Sequence, residues 1–363
     1  MRTTRRGVLA GVAGLSGCLG TAPRGGPGPL EAGSADARVG FVGDVMLGRS
    51  VTERWRDRDP TGVWGSTLGR LRELDGLVAN LECCVSGRGE RWPDKTYYFR
   101  AAPGFAVPAL RAAGVSAASL ANNHTLDFGV QALRDTRAHL ADANVAAVGA
   151  GRDRDGALDP AVTDAGGLTV ATVAFTDQWP AYAAGESSPG TAYTPLDRAV
   201  PSTRRLVGEA LDRARQADSD LVVASLHWGP NWKTEPDATQ EAFARWLVDR
   251  GVDVVHGHSA HVLQGVEVYR GRPILYDCGD FVDDYIHKEG LHNKRSALFE
   301  LVVRAGRLDR LRLVPVEIAD EAVHPAGDEA AAWLRETVRE RSNAFGTTVE
   351  RAGDGLAIPL GTE

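Results

Sequence analysis

VGFVGD, residues 39–44, is a short apolar run that ends on a glycine and a carboxylate. A run of this kind, too short for a helix, reads as a buried strand that hands its carboxylate to a loop. The pattern recurs along the chain. Gly76 to Leu81 ends at Glu82, Val115 to Ala121 at Asn122-Asn123-His124, and Leu168 to Phe175 at Thr176-Asp177. Leu221 to Leu226 ends at His227, and Val252 to Val255 at His256-Gly257-His258. Helical periodicity fills the intervals at Pro103 to Ala113, Val130 to Ala141, Ser202 to Ala217 and Thr239 to Arg250. Strands alternating with helices predict an α/β fold whose sheet is covered on both faces.

Beyond His258 the pattern changes. Gly265 to Tyr269, Pro273 to Cys278, Ala297 to Val303 and Arg310 to Val316 read as consecutive strands, with turns at Arg270-Gly271 and Ala305-Gly306. They predict a mostly antiparallel sheet, closed by a helix over Asp328 to Arg341. Two packed sheets flanked by helices is the simplest arrangement. The expected domain covers residues 37–345, with 346–363 as a C-terminal tail.

The beginning of the chain reads as an address. Arg2 to Arg6 is basic, Gly7 to Gly14 is apolar but too short to span a bilayer, and Leu15-Ser16-Gly17-Cys18 follows. Residues 1–18 therefore predict a signal peptide. Arg5-Arg6 points to the twin-arginine route, and the last four residues to a lipobox that lipidates Cys18. An ordinary cleaved signal peptide, giving a secreted protein, is the alternative. Residues 19–36, rich in Gly, Pro and Ala, are expected to be a flexible tether. The expected location is the extracellular face of the cell membrane.

The formal net charge is −7 over 363 residues, and Lys95, Lys233, Lys288 and Lys294 are the only lysines. No basic stripe is visible, which argues against nucleic acid as a partner. Export permits a disulfide. Cys278 with either Cys83 or Cys84 is the favoured pairing, and buried free thiols are the alternative.

Several strands thus end in a residue able to bind a metal: Asp44, Glu82, Asn123, His227 and His258. A single Asp or His after a strand is usually a cap or a turn. Several in the same structural position predict a metal or catalytic cluster, because sites form at strand ends in open α/β sheets. Carboxylate, amide and imidazole together suit borderline divalent ions such as Mn, Fe or Zn.

The segments GDVMLGR (43–49), ANLECCVS (79–86), KTYYFRAAP (95–103), LANNHTLDFG (120–129), LHWGPNW (226–232) and GHSAHVLQGVEVYRGRPILYDCGDFVDD (257–284) lie in one order over most of the chain. That series resembles the signature blocks of the CapA family of poly-γ-glutamate capsule proteins, which is similar to the calcineurin-like metallophosphoesterases. The resemblance implies a four-layer α/β/β/α sandwich of the metallo-dependent phosphatase type, holding one or two divalent ions. It implies that Asp44 and His261 hold one ion, that Asn123, His227 and His258 hold the other, and that Glu82 bridges them. His124 would protonate a leaving group or stabilise charge in the transition state, and an activated water would attack phosphorus or a carbonyl carbon. The implied partners are an anionic polymer or its precursor, the membrane through the lipid anchor, and membrane subunits of a polymer synthase.

The sequence departs from the phosphoesterase pattern in four places. Met46 stands where Asp-x-His is expected and is read as a core residue. The bridging carboxylate is Glu82 rather than Asp. Ser259 and Ala260 separate His258 from His261, where one residue is usual. Asp280 stands where the family usually shows Asn, as a substitute ligand or an altered hydrogen bond. The first three departures weaken the first metal position more than the second.

Lys95 and Arg100, flanking Tyr97, Tyr98 and Phe99, are candidates to meet an anionic substrate, with ordinary charge on an edge strand as the alternative. Arg49 is a third candidate, since its planar fork suits phosphate or carboxylate; a helix surface residue is the alternative. His256 is expected to support or pack rather than ligate. His287 and His292 are expected at the rim of the site. The functional expectations are a metal-dependent hydrolase or transferase, a binding or assembly component on the same scaffold, and, last, an exported nucleotide or sugar phosphatase.

Overall fold

Residues 36–284 and 286–361 are described by the structure, a computed structural model. The predicted signal peptide, Arg5-Arg6, Cys18 and nearly all of the tether lie outside them. Among the described residues no helix is long and apolar enough to cross a membrane.

The apolar runs form strands because both faces of each are covered. In Ala37–Val45, Val39 and Phe41 point into one core and Val42 into another, as the two-residue period of a strand requires. That strand lies inside a ten-stranded sheet. On one side follow Gly76–Leu81, Val115–Ser119 and Ala146–Val148, all parallel to it. On the other side follow Arg295–Arg304, Arg307–Ala319, Gly355–Pro359 and Glu350–Ala352, successively antiparallel. Asp280–Val282 runs parallel beside the end of Ala37–Val45, and Ala322–Pro325 pairs with Arg307–Ala319.

The second sheet has six strands, in the order Val266–Tyr269, Arg272–Leu275, Val254–His258, Leu221–His227, Leu168–Thr176 and Ala161–Ala165. Its four inner strands are parallel, and both edge strands are antiparallel to their neighbours.

One core joins the two sheets. Phe41, Val78, Ala117, Phe299 and Leu301 of the first meet Val170, Leu221, Val223, Val254 and Leu275 of the second. Helices Pro103–Ala112 and Gly129–Asp142 bury Phe105, Leu110, Leu133 and Leu140 with Leu77 and Ala79 of the first sheet. Helices Pro201–Gln216 and Ala238–Asp249 bury Val207, Leu211, Phe243 and Leu247 with Val173, Ala224 and Val255 of the second. Helix Asp328–Asn343 inserts Leu334 and Val338 into the core between the sheets. Each such side chain contributes roughly 1.5–3 kcal/mol by leaving water.

Three expectations are corrected. The four strands read as one antiparallel sheet are divided: Val266–Tyr269 and Arg272–Leu275 belong to the second sheet, Arg295–Arg304 and Arg307–Ala319 to the first. Residues 346–363, read as a tail, contain the hairpin Glu350–Ala352 and Gly355–Pro359, which pairs with Arg307–Ala319 and buries Leu356 and Ile358. The favoured disulfide is absent, and Cys83, Cys84 and Cys278 are buried free thiols. Each sits in a different apolar cluster, Cys83 on the outer side of the first sheet and Cys278 between the sheets, so neither pairing has its partners side by side.

Candidate metal centre

Parallel strands of both sheets end at one edge, and their last residues converge there. Asp44 leaves the first sheet, His227 and His258 end paired strands of the second, and Glu82 follows the strand beside Asp44. His258 Nδ1 lies 3.6 Å from Asp44 Oδ1, and His227 Nδ1 lies 3.9 Å from the same atom. The two imidazole Nδ1 atoms are 3.0 Å apart. His227 Nε2 is 3.6 Å from Glu82 Oε1, and His261 Nδ1 is 3.2 Å from Asp44 Oδ2. Two overlapping triads, Asp44-His227-His258 and Asp44-Glu82-His261, have one ligand-type atom per residue within 4.8 Å of one another.

Local sequence explains the convergence. A Cβ on Gly43 would lie 1.8 Å from the Gly279 carbonyl oxygen, so only glycine lets the 278–279 backbone close against this strand. The Asp44 amide then donates to the Gly279 carbonyl at 3.0 Å, and Asp280 pairs in register with Asp44. After His258 the backbone turns through positive φ at Ser259 (113°) and His261 (57°). That turn takes up the extra residue between the histidines and aims His261 back at Asp44. Backbone held in such sparsely populated conformations is frequent at functional sites. Ser225 Oγ lies 3.0 Å from His258 Nε2, which leaves Nδ1 facing the cluster.

Neighbouring groups complete the surroundings. Asn80, not singled out in the sequence, donates to Asp44 Oδ1 at 2.6 Å and is itself approached by Asn122 Nδ2 at 3.0 Å. Asn122 is further engaged by the Leu81 carbonyl and the His124 amide. The side-chain oxygen of Asn123, by contrast, is buried without a donor. His124 places Nε2 3.9 Å from Glu82 Oε1, while its Nδ1 lies 2.6 Å from Asp127 Oδ2. Asp127 was missed by sequence reasoning although it stands in the quoted block, three residues after His124.

The electrostatics fit a cation. Both oxygens of Glu82 are buried without a hydrogen-bond donor, a costly state for a carboxylate unless something positive faces it. Burial, then the Asp44 carboxylate, pushes Glu82 well above the usual carboxylate range. Burial, then His261, drives His227 well below the usual imidazole range; burial, then His227, does the same to His258. Both are thereby neutral, the form in which imidazole ligates. Burial alone would also lower His261, but Asp280, Glu82 and Asp44 together hold it well above its ordinary value. Burial lowers His124, with Asp127 opposing. Carboxylates with the neutral imidazoles of His227 and His258 in this arrangement suit a divalent ion.

The remaining predicted residues divide. Asp280 belongs to the cluster, 2.8 Å from His261 Nδ1 through Oδ1. Met46 is fully buried in the core. His256 is engaged by Ser225 and the Val42 carbonyl, at 3.2 and 2.9 Å. Lys95 reaches the Asn123–Asp127 loop. Arg49 pairs with Asp284 at 3.1 Å and lies over Phe99, and Arg100 stacks 3.9 Å from the Phe128 ring centre. His287 and His292 line a surface cavity of about 490 Å³ with Lys294, Arg295, Glu289, Glu317 and Ile318.

Comparison with known proteins bears on this site. A probable polyglutamine synthesis accessory protein of Mycobacterium tuberculosis (strain H37Rv) is 34% identical over 360 residues, covering 86% of this chain and 93% of that one. The capsule biosynthesis protein CapA of Bacillus anthracis is 31% identical over 289 residues, covering 78% and 68%. The PGA biosynthesis protein CapA of Bacillus subtilis is 29% identical over 288 residues, covering 78% and 72%. The family described as bacterial capsule synthesis protein PGA_cap matches residues 38–285, a span that holds every residue of the cluster. The chain therefore belongs to the PGA_cap family of bacterial capsule synthesis proteins.

Proposed function

We propose that this chain is an exported metal-dependent hydrolase or transferase that acts on a phosphoester or amide while an anionic polymer of the poly-γ-glutamate type is made, exported or anchored. The observation that carries the proposal is Glu82, whose two buried oxygens lack donors in the midst of Asp44, His227 and His261. The names of the relatives, which concern polyglutamine, PGA and capsule synthesis, supply the polymer. Two packed sheets with helices outside agree with a four-layer α/β/β/α sandwich of the metallo-dependent phosphatase type, which we adopt as the finer description.

In this reading Asp44, His261 and Glu82 would hold one divalent ion, and Asn123, His227 and His258, with Glu82, would hold a second. Bound there, such ions would activate a water and offset the negative charge of the transition state. The chain's own groups do the rest. Asp127 accepts at His124 Nδ1, which fixes the ring and leaves Nε2 facing Glu82, placed to move a proton to or from the leaving group. Asp280 orients His261. Cys18 would carry the lipid that holds the protein on the outer face of the membrane, beside the subunits of a polymer synthase.

Metal content of residues 37–363, measured by elemental mass spectrometry on wild type, Asp44→Ala and His258→Ala, tests the reading. The expected result is two equivalents of a transition metal, reduced in both variants. A single equivalent, lost only in His258→Ala, would reduce the centre to half a site.

The second reading is a binding or assembly component on the same scaffold. It is favoured by Met46, whose burial in the core leaves the first metal position without the histidine of the phosphoesterase pattern. Wild type that takes up no metal after reconstitution would replace the first reading with this one.

A further inference from the structure

The segment 95–101 contributes no residue to either triad, yet it grips the loop that carries Asn123 and His124. Phe99 donates its amide to Asp127 Oδ2 at 2.7 Å and sets its ring edge-on to His124, 4.4 Å between centres. Arg100 stacks on Phe128, and Arg100-Ala101 pairs with Cys84-Val85. Lys95 turns inward as well. Its side chain is 4% exposed, and its ammonium contacts both the Asn123 carbonyl and Asp127 Oδ1. The rings of Trp179 and Tyr182 lie 4.8 and 5.0 Å from that ammonium. Tyr182 adds its hydroxyl to the same Asp127 oxygen at 3.2 Å, and Trp92 packs edge-on against Tyr182 at 4.8 Å. A cation so enclosed is strongly held by the carboxylate and the ring faces.

We propose that Lys95 is a positioning residue: its buried ammonium ties the Asn123 carbonyl to the Asp127 carboxylate and so fixes where Asn123 and His124 point. The sequence alone offered Lys95 as a contact for an anionic substrate. The structure argues against that use, because an ammonium turned outward would leave Asp127 buried and short of its counter-charge. The backbone carbonyl sets the orientation of Asn123, and the carboxylate sets the ring of His124, so one cation governs both neighbours. The inference rests on the reading of Asn123 and His124 as site residues, but its test does not depend on turnover.

Hydrogen–deuterium exchange of the protein, metal-free and with Mn²⁺, is compared between wild type and Lys95→Met, which keeps the length of the side chain and removes its charge. Exchange in peptides covering 120–129 should rise about tenfold, with 221–227 unchanged. Unchanged exchange in 120–129 overturns the proposal. With bis(p-nitrophenyl) phosphate as probe, kcat should fall by about tenfold or more while KM stays within about twofold. A raised KM at unchanged kcat returns Lys95 to substrate contact and also overturns it. If wild type does not turn over this probe, phosphoesterase activity is the casualty, and the exchange data still decide the role of Lys95. Should Lys95→Met fail to fold, Lys95→Met/Asp127→Asn removes both buried charges together. That variant should fold and keep the fast exchange at 120–129; wild-type exchange there would refute the positioning role.

Discussion

His124 has two differently occupied nitrogens, and that difference makes its role testable. Nδ1 is taken by Asp127 and Nε2 faces Glu82. His124→Ala should leave metal content intact and lower turnover by about 10²–10⁴-fold; metal lost together with activity would contradict the role given to it. Asp127→Asn should act in the same direction through the tilt of the ring. The sequence made most of the cluster legible because Asp44, Glu82, His227 and His258 each stand at or within three residues of the end of an apolar run. Asp127 and Asn80 were not legible in that way. Asp127 stands on a turn, where nothing local separates a ring-orienting carboxylate from a capping one, and Asn80 lies inside its strand, where an amide reads as an interruption of the core. Asp280 was noticed as a departure, but its partner His261 is set by the close pass of two backbones at Gly43, a fact of tertiary structure.

Elements buried on both faces were read nearly to the residue, as with Gly76–Leu81 and Leu221–His227, since every position of each is buried and their runs are dominated by apolar residues. Short edge strands such as Ala146–Val148 and the hairpin over 350–359 escaped, because half their positions face water and a few residues cannot establish a period. That hairpin is part of the fold, and Ile358→Ala should destabilise the protein by about 2–5 kcal/mol in chemical denaturation; a change within error would reinstate a dispensable tail. Helix Gly129–Asp142 carries a pH-dependent contact of its own. The Arg88 side chain, with help from Ser86 and Gln131, holds the Asp135 carboxyl down to about 2. Its contribution to stability is complete above the ordinary carboxylate value near 4 and is lost as the pH falls through about 2. Asp135→Asn should therefore flatten the acid limb of the stability–pH curve and leave its alkaline limb unchanged.

At the scale of the whole molecule, no short stretch of sequence says which sheet a strand will join. The four strands after His258 look alike locally, yet two of them extend the second sheet and two complete the first. The three free thiols lie in separate cores, so a reducing agent should leave the thermal midpoint of the folded domain where it was. Cys18→Ser should release the full-length protein from membranes into the soluble fraction; retention would remove the lipobox from the account. The direction of one strand has a further consequence. Ala37–Val45 enters the first sheet at Ala37 and delivers Asp44 to the metal edge seven residues later, a rise of roughly 23 Å at about 3.3 Å per residue. The first described strand therefore begins at the end of the sheet away from the metal edge. Were the chain held at a membrane through the residues before Ala37, its attachment would join the domain at the far end of that strand from Asp44, leaving the metal edge free to meet a growing polymer.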